Sequence, residues 1–280
     1  MYNLKLSLYK IFTDCFPYIP ITEKLFVKRI FEGTNRIFVE YASSVPVAFS
    51  VLNGNTVVLI CVHPDFQKKG IGKLLLKKSE KYISSQGYRK INLGRCSNGL
   101  FFGAVMDNFS HRFFAKEGYT AFNGCLNMVM DLSEYSYQKI RDRYIFPPDV
   151  SFTYYNKENK NELITAVNTV EPKWCDRFIN AQSVVVAVKD NCIVGFLRLN
   201  TDAQTLISDD NNKVGMIEYV GVLPEYRKTG IGTNIVAYGV QLLKNASCTD
   251  AFIEYTSLDT WYSRIGFEEF IWFWMGFKNI

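Results

Sequence analysis

"RKTGIG" (residues 227–232) follows "LPEY", and nearly the same phrase, "QKKGIG" (residues 67–72), follows "HPDF". The two loops lie 160 residues apart, Gly70 to Gly230. The likeness extends on both sides. Before the first loop, "RIFVEYASSVPVAFSVLN" (36–53) holds two apolar runs around the turn "SSVP", which predicts a hairpin, and "TVVLICV" (56–62) predicts a third strand. Before the second, "SVVVAVKDNCIVGFLRLN" (183–200) predicts a hairpin turning at "KDN", and "GMIEYVGV" (215–222) the following strand.

After each loop the apolar period becomes helical. Ile71, Leu74, Leu75 and Tyr82 share one face, with Lys73, Lys77 and Lys81 elsewhere; Ile231, Ile235, Tyr238 and Leu242 repeat the pattern. A strand follows in each half, "KINLG" and "AFIEY", then a short helix closed by glycine and an aromatic, "RFFAKEGY" and "WYSRIGF". Each half therefore reads as three strands, loop, helix, strand, helix, strand: an α/β (α+β) unit with a mixed central sheet flanked by helices, made twice. Pro147 and Pro148 in "IRDRYIFPPDV" break regular structure. The expected boundaries are residues 1–135, a linker at 136–150, and residues 151–280.

Gly70 and Gly72, like Gly230 and Gly232, stand between a strand end and a helix start. There glycine permits close backbone approach, and the free N–H groups of the helix start face an anion. Lys68 and Lys69, or Arg227 and Lys228, add charge, so a diphosphate is the natural guest. The loops lack both the third glycine of a dinucleotide fingerprint and the ending of a Walker loop.

The 280 residues are 48% hydrophobic with a net charge of +5, which excludes a disordered chain and suits an anionic small ligand. No basic stripe interleaved with aromatics points to nucleic acid. The seven cysteines, Cys15, Cys61, Cys96, Cys125, Cys175, Cys192 and Cys248, form no C-x-x-C pair and read as reduced thiols of a cytosolic protein. His63 and His111 lack metal-ligand spacing, so no metal site is expected. No apolar run is long enough for a membrane span, and "FIWFWMGF" (270–277) reads as a buried strand.

The full phrase V-x-P-x-[FY]-[QR]-K-x-G-I-G, present twice in matching units, resembles the coenzyme A pyrophosphate loop of the GNAT N-acetyltransferases, and "WYSRIGF" resembles that family's closing motif. The resemblance implies two tandem GNAT folds, each splayed between its fourth and fifth strands, and acetyl-CoA as cofactor. By residue, it implies cofactor contacts at Val220, Val222, Arg227, Lys228, Thr229, Gly230, Ile231, Gly232 and Thr233. In the first half the matching set is Val62, Gln67, Lys68, Lys69, Gly70, Ile71, Gly72 and Lys73. The backbone N–H of Val222 or Val62 matches the family's oxyanion donor.

The family's general acid, a tyrosine four residues before the motif glycine, falls on Tyr262, but on Phe114 in the first half. Its base position falls on Glu218, but on Val58 in the first half. The C-terminal half is thus expected to be catalytic and the N-terminal half not. Glu254 and a water chain stay open as alternatives to Glu218, and Asp259 reads as a helix N-cap. Trp174 and Trp261 read as core or domain interface, with a wall for the acceptor open as an alternative for Trp261.

Residues 92–119, with Gly94, Gly99, Phe101, Phe102, Gly103 and Val105, resemble a glycine-aromatic segment of bacterial glucosamine and glucosaminide N-acetyltransferases. The acceptor this implies is an amino sugar, with Asp107 a candidate partner for its ammonium. Aminoglycosides, polyamines, peptide N-termini and a non-catalytic CoA-binding role stay open. The expected state is a monomer or homodimer, without nucleic-acid or membrane partners.

Overall fold

The computed structural model describes residues 2–33, 35–94, 100–107, 109–156 and 160–280. Gly99 and Cys96, singled out above, lie outside the described residues. In chain order the elements are α1 (Tyr2–Cys15), α2 (Glu23–Phe31), β1 (Arg36–Ala42), β2 (Val45–Asn53), β3 (Thr56–Val62), α3 (Ile71–Ser85), β4 (Lys90–Leu93), β5 (Ala104–Val105), α4 (Ser110–Lys116) and β6 (Thr120–Asp131). They continue with α5 (Tyr137–Arg143), β7 (Ser151–Tyr154), α6 (Lys160–Val170), α7 (Cys175–Phe178), β8 (Val184–Lys189), β9 (Cys192–Asn200), β10 (Val214–Val222), α8 (Ile231–Asn245), β11 (Asp250–Thr256), α9 (Asp259–Ser263) and β12 (Glu268–Asn279).

The compact units do not follow the sequence halves. Unit 1 holds Met1–Leu126, Leu206–Asp210 and Phe270–Ile280; unit 2 holds Asn127–Thr205 and Asn211–Glu269. The chain's last strand therefore belongs to the N-terminal unit, and the stretch expected as linker belongs to unit 2. There α5 is packed: Tyr137 lies 5.8 Å from Tyr238 of α8, ring to ring, and its N–H donates to Gln241 Oε1 at 3.3 Å.

In unit 1 the sheet order runs β1, β2, β3, β4, β12, β6, with β5 on β12. The β1–β2 turn is Ser43–Ser44, both at positive φ (46° and 72°), the two-residue loop whose twist matches the strands. One face is covered by α1 and α2, whose Leu8, Phe12, Phe26 and Ile30 pack on Phe49, Val51, Leu59 and Cys61. The other face carries Leu76, Ile83 and Phe114 of α3 and α4 against Leu52, Val57, Ile91 and Leu93. The buried stripe of α3 is Leu75, Leu76, Ser79, Glu80 and Ile83, so the helix is turned from the expected face and Leu74 is exposed. Lys278 of β12 donates to Glu80 Oε1 at 2.8 Å and to the Glu117 carbonyl at 2.8 Å, tying the C-terminal strand into this unit.

In unit 2 the order is β6, β11, β10, β9, β8, β7. Asp190 and Asn191 (φ 49° and 61°) make the expected hairpin turn at "KDN". Leu163, Val167 and Phe178 of α6 and α7 cover Val184, Val186, Ile193 and Phe196 on one face. On the opposite face Gly239 of α8 lies against Leu197 and Leu199. Alternation along β9 therefore puts Arg198 on the α6–α7 face.

Each unit splays where a ligand can enter. β10 and β11 pair in parallel only from Val214–Asp250 to Met216–Phe252, although β10 runs to Val222 and β11 to Thr256. β3 and β4 pair only at Thr56–Asn92 and Val57–Leu93.

Candidate active site

The two glycine loops have one construction. A short 3-10 turn, Pro64–Phe66 or Pro224–Tyr226, precedes each. The first loop side chain then clamps the strand end: Gln67 Nε2 donates to Val62 O at 3.0 Å, and Arg227 Nε to Val222 O at 3.1 Å. Lys68 and Lys228 take positive φ (60° and 64°), followed by Gly70 and Gly230 (83° and 89°). The first helical bonds run from Leu74 N to Gly70 O and from Asn234 N to Gly230 O. The N–H groups of Ile71, Gly72 and Lys73, and of Ile231, Gly232 and Thr233, thus lack intrahelical carbonyls and form an anion cradle.

The surroundings of the loops differ. A Cβ on Gly70 would meet nothing within 4 Å, but one on Gly230 would lie 2.3 Å from the Ile145 carbonyl oxygen. Asn234 Nδ2 donates to that oxygen at 2.8 Å and to Gly230 O at 2.9 Å. Thr229 Oγ1 donates to Tyr226 O at 2.7 Å, and Lys69 Nζ to Asp65 O at 2.8 Å. The Lys73 ammonium turns to Glu117 Oε1 at 2.9 Å, leaving its backbone N–H for the cradle. Cys15 of unit 1 donates its thiol to Val62 O at 3.2 Å.

The strand ends also differ. In β10 the register slips between Glu218, opposite Arg198, and Gly221, opposite Phe196. Tyr219 takes φ 54°, and Tyr219 and Val220 leave the ladder with β9. Only glycine fits at 221, where a Cβ would sit 2.3 Å from the Phe196 ring. In β3 the slip falls earlier, between Val57 and Leu59, so Val58 itself is the extra residue. A bulge re-aims side chains and frees backbone groups, and in unit 2 it does so just before Val222.

Tyr262 of α9 is buried, packed edge-on to Trp261 at 4.6 Å and Phe267 at 5.8 Å. Its hydroxyl has no hydrogen-bond partner among the described residues. Burial pushes it above the ordinary tyrosine value, so the phenol stays protonated at neutral pH. Glu218 is partly buried and accepts from Arg198 Nη2 at 3.1 Å. Tyr262 and Glu218 make no hydrogen bond with each other.

Phe114 occupies the position matching Tyr262 and is likewise buried. It lines a small cleft between the splayed β3 and β4, with Val57, Val58, Leu59, Phe16 and Phe101. That cleft has no acid or base side chain.

Trp261 stands beside the α8 start, its ring 3.3 Å from where a Gly232 Cβ would lie, on the flank of the cradle. Asp259 is the first residue of α9, with Leu258 at the N-cap. Asp107 accepts from the N–H groups of Phe109 and Ser110 and from Ser110 Oγ at the start of α4. Glu254 lies on β11 beyond its last parallel pair with β10. His111 lies on α4, its Nδ1 buried without a partner among the described residues. Trp174, read as core or interface, is half-buried and packs edge-on to Tyr219 at 5.6 Å.

The model of the acetyltransferase (GNAT) family matches residues 149–267, and that of an acetyltransferase (GNAT) domain matches residues 10–99. The chain belongs to the GNAT acetyltransferase family. It is a tandem GNAT protein, with one family match in each half. A fungal multi-domain GH3 β-N-acetylglucosaminidase has a GCN5-related glucosamine N-acetyltransferase region of similar structure (TM-score 0.78, 24% identity over 98% of this chain). This chain covers 36% of the fungal one. A GCN5-related N-acetyltransferase from Sphaerobacter thermophilus is similar at TM-score 0.71 and 15% identity, covering 98% of this chain and 91% of its own. A tandem GNAT protein from the clavulanic acid biosynthesis pathway is similar at TM-score 0.65 and 12% identity, covering 98% and 94%. At these identities the likeness shows the fold. No curated protein matches the chain. Among the described residues no helix is long and apolar enough to cross a membrane.

Proposed function

We propose that this GNAT protein is an acetyl-CoA-dependent N-acetyltransferase whose C-terminal unit acetylates a primary amine of a small molecule, foremost an amino sugar. The observation that carries this reading is the asymmetry of the units. Unit 2 combines the glycine cradle, the bulge before Val222, an acidic side chain at Glu218 and a protonated phenol at Tyr262. Unit 1 has the cradle alone, with Val58 and Phe114 in the chemical positions. The fit to a diphosphate rests on the orphan N–H groups and the two left-handed residues of each loop.

In this reading the loop from Arg227 to Thr233 holds the pyrophosphate and the β10–β11 splay admits the pantetheine arm. The strand end at Val220–Val222 offers backbone N–H groups to the thioester oxygen. Glu218 takes the ammonium proton, directly or through water, and Tyr262 gives a proton to the departing thiolate sulfur. Unit 1 holds the same cofactor without turnover, its acyl end in the apolar cleft at Phe114. The fungal glucosamine N-acetyltransferase region supports the amino-sugar acceptor.

The test is thiol release from acetyl-CoA against glucosamine, aminoglycosides, polyamines and peptide N-termini. Turnover with glucosamine, lost in Glu218→Gln and Tyr262→Phe, is the expected result. No thiol release with any amine overturns the reading in favour of a non-catalytic CoA-binding protein.

A further inference from the structure

Around Glu218, on the α6–α7 face of unit 2 beside the bulge, lies a cluster of one guanidinium and three aromatic rings. Arg198 and Glu218 stand opposite each other in the β9–β10 register and pair at 3.1 Å. The Arg198 guanidinium lies over the Tyr219 ring at 5.2 Å, and its Nη1 donates to the Arg177 carbonyl of α7 at 2.9 Å. Tyr219, turned out of the ladder by its left-handed backbone, meets Trp174 at 5.6 Å and Phe178 at 6.1 Å. Phe178 is buried, whereas Trp174, Tyr219, Arg198 and Glu218 all keep some exposure. One carboxylate, one guanidinium and two accessible aromatic rings thus meet next to the strand end where transfer is placed.

Each part has a chemical reading. A carboxylate beside the oxyanion strand accepts from an ammonium. A guanidinium has five N–H donors, and among the described residues two are used here, on Glu218 and the Arg177 carbonyl. The others suit hydroxyl oxygens. An indole that is neither sealed in the core nor fully exposed offers a flat apolar face to the C–H face of a ring.

We propose that this cluster is the acceptor subsite and that it selects a polyhydroxylated ring amine. The ring face lies on Trp174, the ammonium meets Glu218, and ring hydroxyls accept from Arg198. Arg198 is also a positioning residue, because it joins the Glu218 carboxylate to the α7 backbone. The inference rests on the acetyltransferase reading for the direction of transfer, but its binding element can be measured without turnover.

The experiment compares glucosamine with an acyclic diamine, putrescine, on the full chain. Calorimetry gives binding, and thiol release gives kcat and KM for each. In Trp174→Ala the ratio of kcat/KM for glucosamine to that for putrescine falls at least about tenfold, most of it in KM, and glucosamine affinity falls likewise. Trp174→Phe, which keeps a ring and guards against a folding defect, restores much of the ratio. Arg198→Gln lowers kcat for both acceptors and raises KM for glucosamine alone. An unchanged ratio in Trp174→Ala overturns the subsite, as does wild-type turnover of putrescine without glucosamine binding; acetyl transfer then still stands. Loss of glucosamine binding in Trp174→Ala, with no thiol release from any amine in wild type, supports the subsite and overturns the transfer. Wild-type protein that neither binds nor acetylates glucosamine overturns the subsite as well.

Discussion

Tyr262→Phe separates chemistry from architecture with one atom. The ring stays, so its edge contacts with Trp261 and Phe267 persist. The hydroxyl has no hydrogen-bond partner among the described residues. Its loss should therefore cost less than the roughly 0.5–1.5 kcal/mol of a net hydrogen bond. The effect on rate should be far larger. General-acid help is worth about 10²- to 10⁴-fold, or roughly 3–5 kcal/mol of barrier. The pH signature has a definite sign. Burial raises the folded hydroxyl above its ordinary value of 10.0, so the proton is held through the neutral range and kcat shows no tyrosine limb there. The stability this group contributes is present below 10.0 and declines only as pH rises past it, because the unfolded phenol ionises first. The assay is thiol release at saturating amine, with acetyl-CoA affinity by calorimetry and a urea melt on the same variant. A fall in kcat of at least about 100-fold, with affinity and melt nearly unchanged, is expected. Wild-type kcat, with an acceptor whose turnover is limited by chemistry, refutes the role and returns the proton to Asp259, Glu254 or a water chain.

Glu218→Gln should lower kcat at neutral pH and recover partly in alkali, where free amine is abundant; equal loss at every pH argues against a base. Phe114→Tyr should add no turnover to a Tyr262→Phe background, because Val58 leaves unit 1 without a base; restored activity there overturns the division of labour. Gly70→Ala should cost about 1–2 kcal/mol of backbone strain in unit 1, whereas Gly230→Ala adds a clash with the Ile145 carbonyl 2.3 Å away and should destabilise unit 2 more; equal melting shifts contradict this. Lys278→Met removes the donor to buried Glu80 and to the Glu117 carbonyl and should cost about 1–3 kcal/mol, read as a lower urea midpoint.

The parts legible in the sequence are those set by local chemistry. Asp190–Asn191 accepts positive φ at both turn positions, and the hairpin forms there. The paired loops announced themselves through glycines whose backbones are left-handed, and Phe114 and Tyr262 through their spacing from Gly118 and Gly266. Long-range pairing was not legible. "FIWFWMGF" reads correctly as a buried strand, but nothing within it says that it joins β4 of the other half; Phe277–Asn92 and Lys278–Ile91 are contacts between distant segments. The helices α1, α2, α6 and α7 carry amphipathic patterns but no motif to match between halves. The bulge did leave a sign. Gly221 interrupts an otherwise apolar strand, and an isolated strand glycine marks a bulge or close backbone approach. Read that way, Tyr219 becomes a displaced aromatic, and Trp174 a candidate neighbour.

Three differences between the units point the same way. Glu218 stands where unit 1 has Val58, and Tyr262 where it has Phe114. The third is backbone: the slip in β10 falls after Glu218, beside the strand end, whereas in β3 it falls at Val58 and leaves the approach to Val62 paired with β2. A side-chain swap alone could be neutral drift in a packed core. A displaced bulge cannot be had without re-registering the strand, and it needs its own glycine, at Gly221, to let the Phe196 ring lie against the backbone. Unit 2 therefore carries a left-handed Tyr219, a costly conformation outside turns, on the strand that bears Glu218 and leads into the second glycine loop. Unit 1 keeps the cradle with a regular strand end, the backbone counterpart of the proposed division of labour.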